Sequence, residues 1–433
     1  MMRHPLTTFL ALLASPLIFA EGVIAPVTGE NGEAGHQDGT GAGAHFNDPM
    51  GLARDAAGNL YICDARNHVI RKVGPAGVVS TLAGMPGEAG AVNGIGEAAR
   101  FNFPADIAVS PTGILYVADS GNHCIRVIAA NGAVTTLAGD LGSADDIDVE
   151  YGADYTTVAP KLDGKGAVAR FNGPTGIAYS SSGFLYVSDT GNQLIRKVAL
   201  NGTVTTLAGK AGAWGTDDGT GAAARFNSPR GLCTDTDGNL YIADSLNHTI
   251  RSMTPAGVVT TFAGSASEHG CKAGPRLQAR FCEPTDITPH PGGGFIICES
   301  FGNALFRLKS DGMVSMLAGG AAPTTPSANK LSNPNSAVCD AQGNVYVSDT
   351  FNQEVRLIIE KFETSITRVD GTTQLTITWD SLPGRDYQLQ ILGEQGWGNT
   401  THDPVRATGA AASITFPMPQ EKAGIYRILL LGF

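Results

Sequence analysis

The chain has 433 residues, of which 16 % are charged, and it contains 56 glycines and 23 prolines. It exceeds the roughly 250 to 300 residues at which one hydrophobic core stops growing, so more than one domain or a large repeat ring is expected. This composition is typical of many short strands joined by tight turns and argues against a coiled coil. A net charge of −11 without any Lys/Arg cluster argues against nucleic acid or an anionic membrane surface as partner.

The first twenty residues have the features of a secretory signal peptide. Arg3 and His4 precede an apolar run from Leu6 to Phe19, which polar residues interrupt. The run is shorter than the ~20 apolar residues that a membrane span needs, although a membrane anchor is the alternative interpretation. We expect cleavage after Ala20, a secreted, periplasmic or cell-surface location, and no transmembrane segment in the mature chain.

One sequence unit recurs six times after the signal. Each unit begins with a Phe, or once a Leu, three residues before a Pro, at spacings of 55, 70, 55, 55 and 50 residues. These starting residues are Phe46, Phe101, Phe171, Phe226, Phe281 and Leu331. Four strand-like runs separated by Gly, Asn and Asp turns follow in each unit, which predicts a four-stranded propeller blade.

A second signature lies at the turn after the second strand. It reads Asp-x-x-Asn and is followed by an Arg four residues after the Asn, as in Asp64, Asn67 and Arg71. The arginines at this spacing are Arg71, Arg126, Arg196, Arg251, Arg307 and Arg356. With the preceding Pro-x-Gly and Gly-x-Leu-Tyr patterns, these residues resemble the NHL-repeat family over residues 22–359. The resemblance implies an all-β, six-bladed β-propeller.

The spacing also predicts how the ring closes. The segment Gly22–Gly29 lies 24 residues before Phe46, just as the fourth strand Gly77–Gly84 lies 24 residues before Phe101. The sixth unit has no fourth strand of its own. The N-terminal segment should therefore fill that place and leave no open blade edge.

The period stops near residue 360 and alternating apolar residues take over. Leu375, Ile377 and Trp379 alternate with polar residues, and Tyr387 and Leu389 continue the pattern. This alternation predicts a half-buried antiparallel sheet, and it resembles a fibronectin type III β-sandwich. The expected domains are a signal peptide (1–20), a propeller (21–359) and a small β-sandwich (360–433).

The repeated polar residues are expected to build the blades rather than to form a site, because an active site is needed once. His68, His123 and His248 belong to separate blades, so one metal ion could not bind all three, and each is expected to support its own turn. The Asp, Asn and Arg of the second turn should likewise bond within or between strands.

Interruptions of the repeat carry more functional information. A loop before the third blade is fifteen residues longer than its counterparts, and the loop before the fourth blade contains Trp214. Aromatic rings beside carboxylates suit sugars or basic peptides, so Tyr151, Tyr155, Trp214 and Asp146 are candidate ligand-binding residues. The carboxylates of Asp145, Asp146, Asp148 and Glu150 are also candidates for a calcium site, and no other cofactor is indicated.

Two of the seven cysteines flank a short loop between blades. Cys271 and Cys282 are the natural disulfide of an exported protein, whereas the other five should be small packing residues. We expect an exported binding or scaffolding protein that recognises a peptide, protein or glycan on the propeller face with the long loops. The alternatives are a metal-dependent lyase or lactonase on the propeller axis and a structural cell-surface module.

Overall fold

The computed structural model describes residues 23–139, 162–266, 268–320 and 330–359, and seven strands between residues 364 and 430. Residues 21–360 form one compact unit, and residues 361–433 belong to a second. The described residues are all-β, with short 3-10 turns and no α-helix. None of them forms a helix that is long and apolar enough to cross a membrane.

Six antiparallel sheets, each with four main strands, form the blades, and their innermost strands contact one another in a closed ring. Blades 1 and 2 comprise Pro49–Arg54, Leu60–Asp64, Val69–Val73 and Val78–Ala83, then Pro104–Val109, Leu115–Asp119, Cys124–Ile128 and Ala133–Ala138. Blades 3 and 4 comprise Pro174–Ser180, Phe184–Asp189, Leu194–Ala199 and Thr203–Gly209, then Pro229–Thr234, Leu240–Asp244, Thr249–Met253 and Val258–Gly264. Blades 5 and 6 comprise Pro284–Pro289, Phe295–Glu299, Ala304–Leu308 and Met313–Gly319, then Pro334–Cys339, Val345–Asp349, Glu354–Ile359 and Val23–Thr28.

The N-terminal strand closes the ring as the spacing predicts. Val23–Thr28 pairs antiparallel with Glu354–Ile359 and provides the outer strand of blade 6. In blades 1 to 5 a two-residue strand adds a fifth, outermost position that the sequence pattern did not predict. These short strands are Gly39–Thr40, Gly94–Ile95, Gly164–Lys165, Gly219–Thr220 and Gly274–Pro275.

The 3-10 turns fall at two repeated places. One set connects the second and third strands: Ala65–Asn67, Ser120–Asn122, Thr190–Asn192, Ser245–Asn247 and Thr350–Asn352. The other set precedes the phenylalanine that begins each repeat unit, which we call the blade phenylalanine: Gly41–Gly43, Gly96–Ala98, Gly166–Val168 and Gly221–Ala223.

The repeated Asp, Asn and Arg form a buried cluster within the blade. In blade 1, Asp64 accepts hydrogen bonds from the amide of Asn47 (2.7 Å), the side chain of Asn67 (2.9 Å) and the guanidinium of Arg71 (2.7 Å). Arg71 also binds the carboxylate of Asp38 at 2.8 Å. We call this the Asp-Asn-Arg cluster, and it explains why the signature recurs in every blade but one.

The blade phenylalanine packs against the same arginine. The Arg71 guanidinium lies 5.0 Å from the Phe46 ring centroid, within the range of a cation–π contact. Blades 2, 3 and 4 repeat the contact at 5.2, 5.0 and 5.5 Å through Arg126 and Phe101, Arg196 and Phe171, and Arg251 and Phe226. The Phe signature and the Asp-x-x-Asn and Arg signature of the repeat thus recur together because their side chains pack against each other.

The second unit contains two antiparallel sheets. One has three strands: Thr364–Arg368, Gln374–Asp380 and Ala411–Pro417. In the other, the strand Asp386–Gly393 pairs with Gly396–Asn399, Val405–Arg406 and Tyr426–Leu430. The strands agree with the predicted alternation, whereas the fibronectin-like sandwich stays a prediction.

Candidate functional site on the loop face

The turn between the second and third strands lies beside the connection that enters the blade. In blade 1, Asn67 donates a hydrogen bond from its side chain to the carbonyl of Gly35 (2.6 Å), and its own carbonyl accepts one from the amide of Gly87 (3.0 Å). Both kinds of loop therefore emerge on one side of the ring, which we call the loop face. The hairpins between first and second strands, and between third and fourth, lie on the opposite side.

An arc of exposed apolar side chains lies on the loop face. The middle residue of the turn between the second and third strands is exposed and apolar in blades 4, 5 and 6, where it is Leu246 (43 % exposed), Phe301 (72 %) and Phe351 (47 %). Trp214, 73 % exposed, precedes Gly215, whose carbonyl accepts a hydrogen bond from Asn247 beside Leu246. Among the described propeller residues, the exposed Trp, Tyr or Phe side chains are those of Trp214, Phe301 and Phe351, and all three lie on this face. We call the four side chains the apolar arc.

Blades 2 and 3 are flat at the same position because glycine is required there. A Cβ added to Gly121 would lie 2.7 Å from the side chain of Asn102, and one added to Gly191 would lie 2.6 Å from that of Asn172. In blade 1 the position holds Arg66, which forms an ion pair with Asp48. The apolar arc is thus confined to one half of the ring.

The predicted ligand-binding residues are only partly covered by the structure. Trp214 lies on the loop face, as its position in a connection before blade 4 predicted. Tyr151, Tyr155 and Asp146, and the calcium candidates Asp145, Asp146, Asp148 and Glu150, lie outside the described residues. Leu246, Phe301 and Phe351 were missed, although each occupies the variable position of the Asp-x-x-Asn turn or its equivalent.

Two carboxylates lie in the innermost strands of opposite blades. Asp106 accepts the amide hydrogen of Ile177 (2.8 Å) in the next blade, and Asp286 accepts that of Ala337 (3.0 Å) and the hydroxyl hydrogen of Ser336 (2.8 Å). Burial and then the charge of Asp286 raise the pKa of Asp106, and burial raises the pKa of Asp286 to about 6. Each lies near the start of its strand, toward the loop-face end of the axis.

Sequence reasoning found no such axial set, although a signal was present. The second residue after the blade proline reads Gly51, Asp106, Gly176, Gly231, Asp286 and Ser336 around the ring. A Cβ on Gly51 would lie 2.4 Å from the Cα of Asp106, and one on Gly231 would lie 2.2 Å from an oxygen of Asp286. Each carboxylate therefore needs a glycine in the preceding blade.

The repeated histidines connect neighbouring blades instead of supporting their own turns, so that expectation was wrong. Nδ1 of His68 accepts the amide hydrogen of Phe103 (3.1 Å), and Nδ1 of His123 accepts that of Gly173 (2.9 Å). Gln193, Asn303 and Gln353 use a side-chain oxygen in the same way, with the amides of Ser228, Asn333 and Asp48. This inter-blade tie is present at five of the six junctions.

The junction of blades 4 and 5 is the exception. Nδ1 of His248 contacts the carbonyl oxygen of Cys282, and the amide of Glu283 donates to Glu299 (3.2 Å) instead of to the histidine. Glu283 also lacks the positive φ of its counterparts Asp48, Phe103, Gly173, Ser228 and Asn333. The His248 ring lies beside His269, with ring centroids 5.6 Å apart.

Blade 5 has lost the Asp-Asn-Arg cluster as well. Strand pairing places Ile297 opposite Phe306, as it places Ile62 opposite Arg71, so Phe306 occupies the arginine position. The expectation that Arg307 completes the pattern was therefore wrong. Glu299 stands in place of the aspartate.

In blade 5 the thiols of Cys271 and Cys282 occupy the space that the Asp-Asn-Arg cluster fills in other blades. The Sγ atoms of Cys271 and Cys282 are 3.5 Å apart, and their ligand atoms and a carboxylate oxygen of Glu299 all lie within 4.8 Å of one another. Burial raises the pKa of Cys271 to about 12 and that of Glu299 to about 8. The two cysteines are thus brought together as predicted, and their disulfide stays a prediction.

Comparison with known proteins agrees with this architecture. The NHL repeat family matches residues 101–128, 171–198 and 226–251. The chain is 28 % identical over 324 residues to the protein SUPPRESSOR OF QUENCHING 1 of Arabidopsis thaliana and 27 % identical over 296 residues to NHL repeat-containing protein 2 of Gallus gallus. These alignments cover 70 % and 62 % of this chain but only 29 % and 40 % of the two relatives.

Solved structures share the fold at lower identity. An auxiliary nutrient binding protein from Bacteroides thetaiotaomicron superposes with a TM-score of 0.56 and 14 % identity, covering 78 % of this chain and 76 % of that one. At this identity the likeness shows the fold alone. With the three matched repeats and the ring of six sheets, this chain is a six-bladed β-propeller that contains NHL repeats.

Proposed function

We propose that the chain is an exported binding protein whose loop face recognises a peptide, protein or glycan. The observation that carries the proposal is the apolar arc. Trp214 and Phe301 expose more than two thirds of their surface, and exposed aromatic residues gathered on one face are typical of a recognition surface rather than of an inert one. The shared fold with a nutrient binding protein is consistent with such a role.

The chemistry of the face indicates which ligands suit it. Flat aromatic rings stack on sugar rings or on apolar side chains, and the acidic residues near the axis favour a cationic group. Asp106 and Asp286 lie at the loop-face end of the innermost strands. A ligand that spans from the apolar arc to the axis would use both features.

Binding can be tested by screening the mature protein against a glycan array and a displayed peptide library. The variants Trp214→Ser and Phe301→Ser should each lower the affinity for a confirmed ligand at least about tenfold. The loss of an aromatic contact that is buried in the complex costs at least about 1.4 kcal/mol of binding free energy. Leu200→Ser is the matched control: Leu200 is 43 % exposed but lies on the opposite face. Equal loss in the control, or none in the arc variants, would contradict the proposal.

Asp106 and Asp286 favour a second candidate function, an enzyme acting on the axis. A carboxyl group whose pKa is raised by burial and by a nearby charge can hold a proton near neutral pH, and two such groups with different pKa values can serve as acid and base. A panel of lactones provides the test, with Asp106→Asn and Asp286→Asn as variants. Turnover that either substitution abolishes, in a protein that stays folded, would favour the enzyme.

Export is a separate part of the proposal. If the signal peptide is removed after Ala20, intact-mass measurement of the protein recovered from the medium or periplasm should give a chain beginning at Glu21. A mature chain that retains residues 1–20 would contradict it.

A further inference from the structure

We propose that the junction of blades 4 and 5 binds one thiophilic divalent cation of the zinc class, through Sγ of Cys271, Sγ of Cys282 and the carboxylate of Glu299. The inference is independent of the loop-face ligand, and it is the alternative to the predicted Cys271–Cys282 disulfide, because a metal ion needs both thiols reduced. It rests on four observations: a missing cation, a buried unpartnered oxygen, a space filled by sulfur, and the distances between the ligand atoms.

The missing cation is the arginine of the repeat. In blade 4, Asp244 is buried beside Arg251 at 2.9 Å, so the negative charge is compensated inside the blade. Glu299 is equally buried, but Phe306 replaces the arginine and packs edge-on against Phe281 at 5.6 Å between ring centroids. A buried carboxylate without a positive partner is costly, and a bound metal ion removes that cost.

One oxygen of Glu299 is already used and the other is not. Oε2 accepts the amide hydrogens of Cys282 (2.9 Å) and Glu283 (3.2 Å). Oε1 is buried and has no hydrogen-bond partner. The carboxylate is therefore held in place by the backbone and keeps an oxygen for a ligand.

The residues around Cys271, Cys282 and Glu299 leave room for the two sulfur atoms. Gly302 replaces the asparagine of the other blades, and a Cβ at Gly302 would lie 2.2 Å from Sγ of Cys271. Cys282 replaces the asparagine whose amide is bound by the blade carboxylate, and it keeps that backbone bond. The residues Cys271, Cys282, Glu299, Gly302 and Phe306 all differ from their counterparts in blade 4.

The distances suit a metal ion. Tetrahedral zinc with Zn–S bonds of about 2.3 Å requires its two sulfurs about 3.8 Å apart. The observed separation of 3.5 Å is close to this value. Three protein ligands leave the fourth tetrahedral position to water, and both cysteines are only partly buried, so solvent reaches the site. Binding releases the protons of the ligating groups to the buffer.

The test uses the full mature chain, reduced, stripped with a chelator and titrated with Zn²⁺ or Co²⁺. We expect one ion per chain and, with Co²⁺, the near-ultraviolet charge-transfer absorption of thiolate ligands. Cys271→Ser, Cys282→Ser and Glu299→Gln should each weaken binding at least about 100-fold, since even the loss of an outer partner costs 10- to 100-fold. Cys339→Ser, at a partly buried cysteine outside the cluster, is the matched control and should bind normally.

A second variant keeps the test decisive if single substitutions unfold the blade. Cys271→Thr, Cys282→Asn, Glu299→Asp, Gly302→Asn and Phe306→Arg together give blade 5 the residues that blade 4 has at Thr216, Asn227, Asp244, Asn247 and Arg251. This variant should fold, because it restores the Asp-Asn-Arg cluster, and should bind no metal.

Three outcomes would overturn the proposal. The first is a reduced protein that binds no Zn²⁺ or Co²⁺. The second is binding that survives in Cys271→Ser or in the blade-4-like variant. The third is a Cys271–Cys282 disulfide that persists under the reducing conditions of the titration, in which case the pair is a structural cross-link.

Discussion

The side-chain oxygen of Gln353 accepts the amide hydrogen of Asp48 at 2.7 Å, although the two residues are 305 positions apart in the chain. The amide of the Gln353 side chain also donates to the Asp48 carboxylate at 3.3 Å. The same tie joins blades 1 and 2 through His68, so the last blade is fastened to the first as internal blades are to each other. Ring closure therefore depends on this contact and on the N-terminal strand.

Gln353→Ala should destabilise the propeller by about 1 to 3 kcal/mol, because it leaves the buried amide of Asp48 without an acceptor. Chemical denaturation with a fixed m-value measures the change. Gln278→Ala, at an exposed glutamine, is the control and should have no measurable effect. Equal stability of both variants would mean that the tie does not contribute to closure.

Deleting residues 21–29 should lower the free energy of unfolding by about 3 to 6 kcal/mol. The deletion removes the strand Val23–Thr28 and the ladder it forms with Glu354–Ile359, and each lost hydrogen bond costs about 1 kcal/mol. Thermal melting followed by circular dichroism provides the measurement. Pro26→Ser changes an exposed residue of the same strand and is the control: it should melt at the same temperature as the unmodified mature chain. A deletion variant with that same melting temperature would show that the N-terminal strand does not stabilise the ring.

The histidine ties should make stability depend on pH. Burial lowers the pKa of His68 and His123 below the ordinary value of 6.5. Each Nδ1 must stay unprotonated to accept its hydrogen bond. A lowered folded-state pKa means that the contribution is complete above pH 6.5 and is lost as the pH falls through the folded-state pKa. The contribution of the two histidine ties to stability should therefore fall on acidification in this window.

The double variant His68→Gln, His123→Gln isolates this effect, since Gln193 already forms the tie in blade 3. Burial raises the pKa of Asp64 and Asp119 to about 6, but both proteins contain these groups. The difference in unfolding free energy between variant and parent should therefore shift in favour of the variant below pH 6.5. A difference that is constant from pH 7.5 to 5 would contradict the assignment.

Arg251→Leu should destabilise the chain by about 3 to 5 kcal/mol, because it leaves Asp244 buried without its cation. Phe306→Leu, at the equivalent position of blade 5, should cost about 1 kcal/mol, since no charge is uncovered there. Urea unfolding of both variants measures the contrast. Equal losses would show that the arginine acts through packing on Phe226 rather than through its charge.

The amino-acid sequence alone determined the number of blades, their order and the strand that closes the ring. Each of these follows from the repeat period, because the same turn residues recur at regular spacing along the chain. The spacing of Phe46 and Phe101 is enough to reveal that period. The N-terminal strand is recognised because it keeps that spacing.

The tertiary structure decided which residues meet across the blades. Glu299 joins Cys271 and Cys282, which the sequence had already paired, because the pairing of Glu299 with Ala304 sets the register of blade 5. An alignment anchored on Asn303 instead selects Arg307 in place of Phe306. Asp106 and Asp286 are more than 150 residues apart in the chain, and only the closed ring brings them to one axis. Contacts of this kind depend on the packing of one sheet against the next, and a period read within single blades does not contain them.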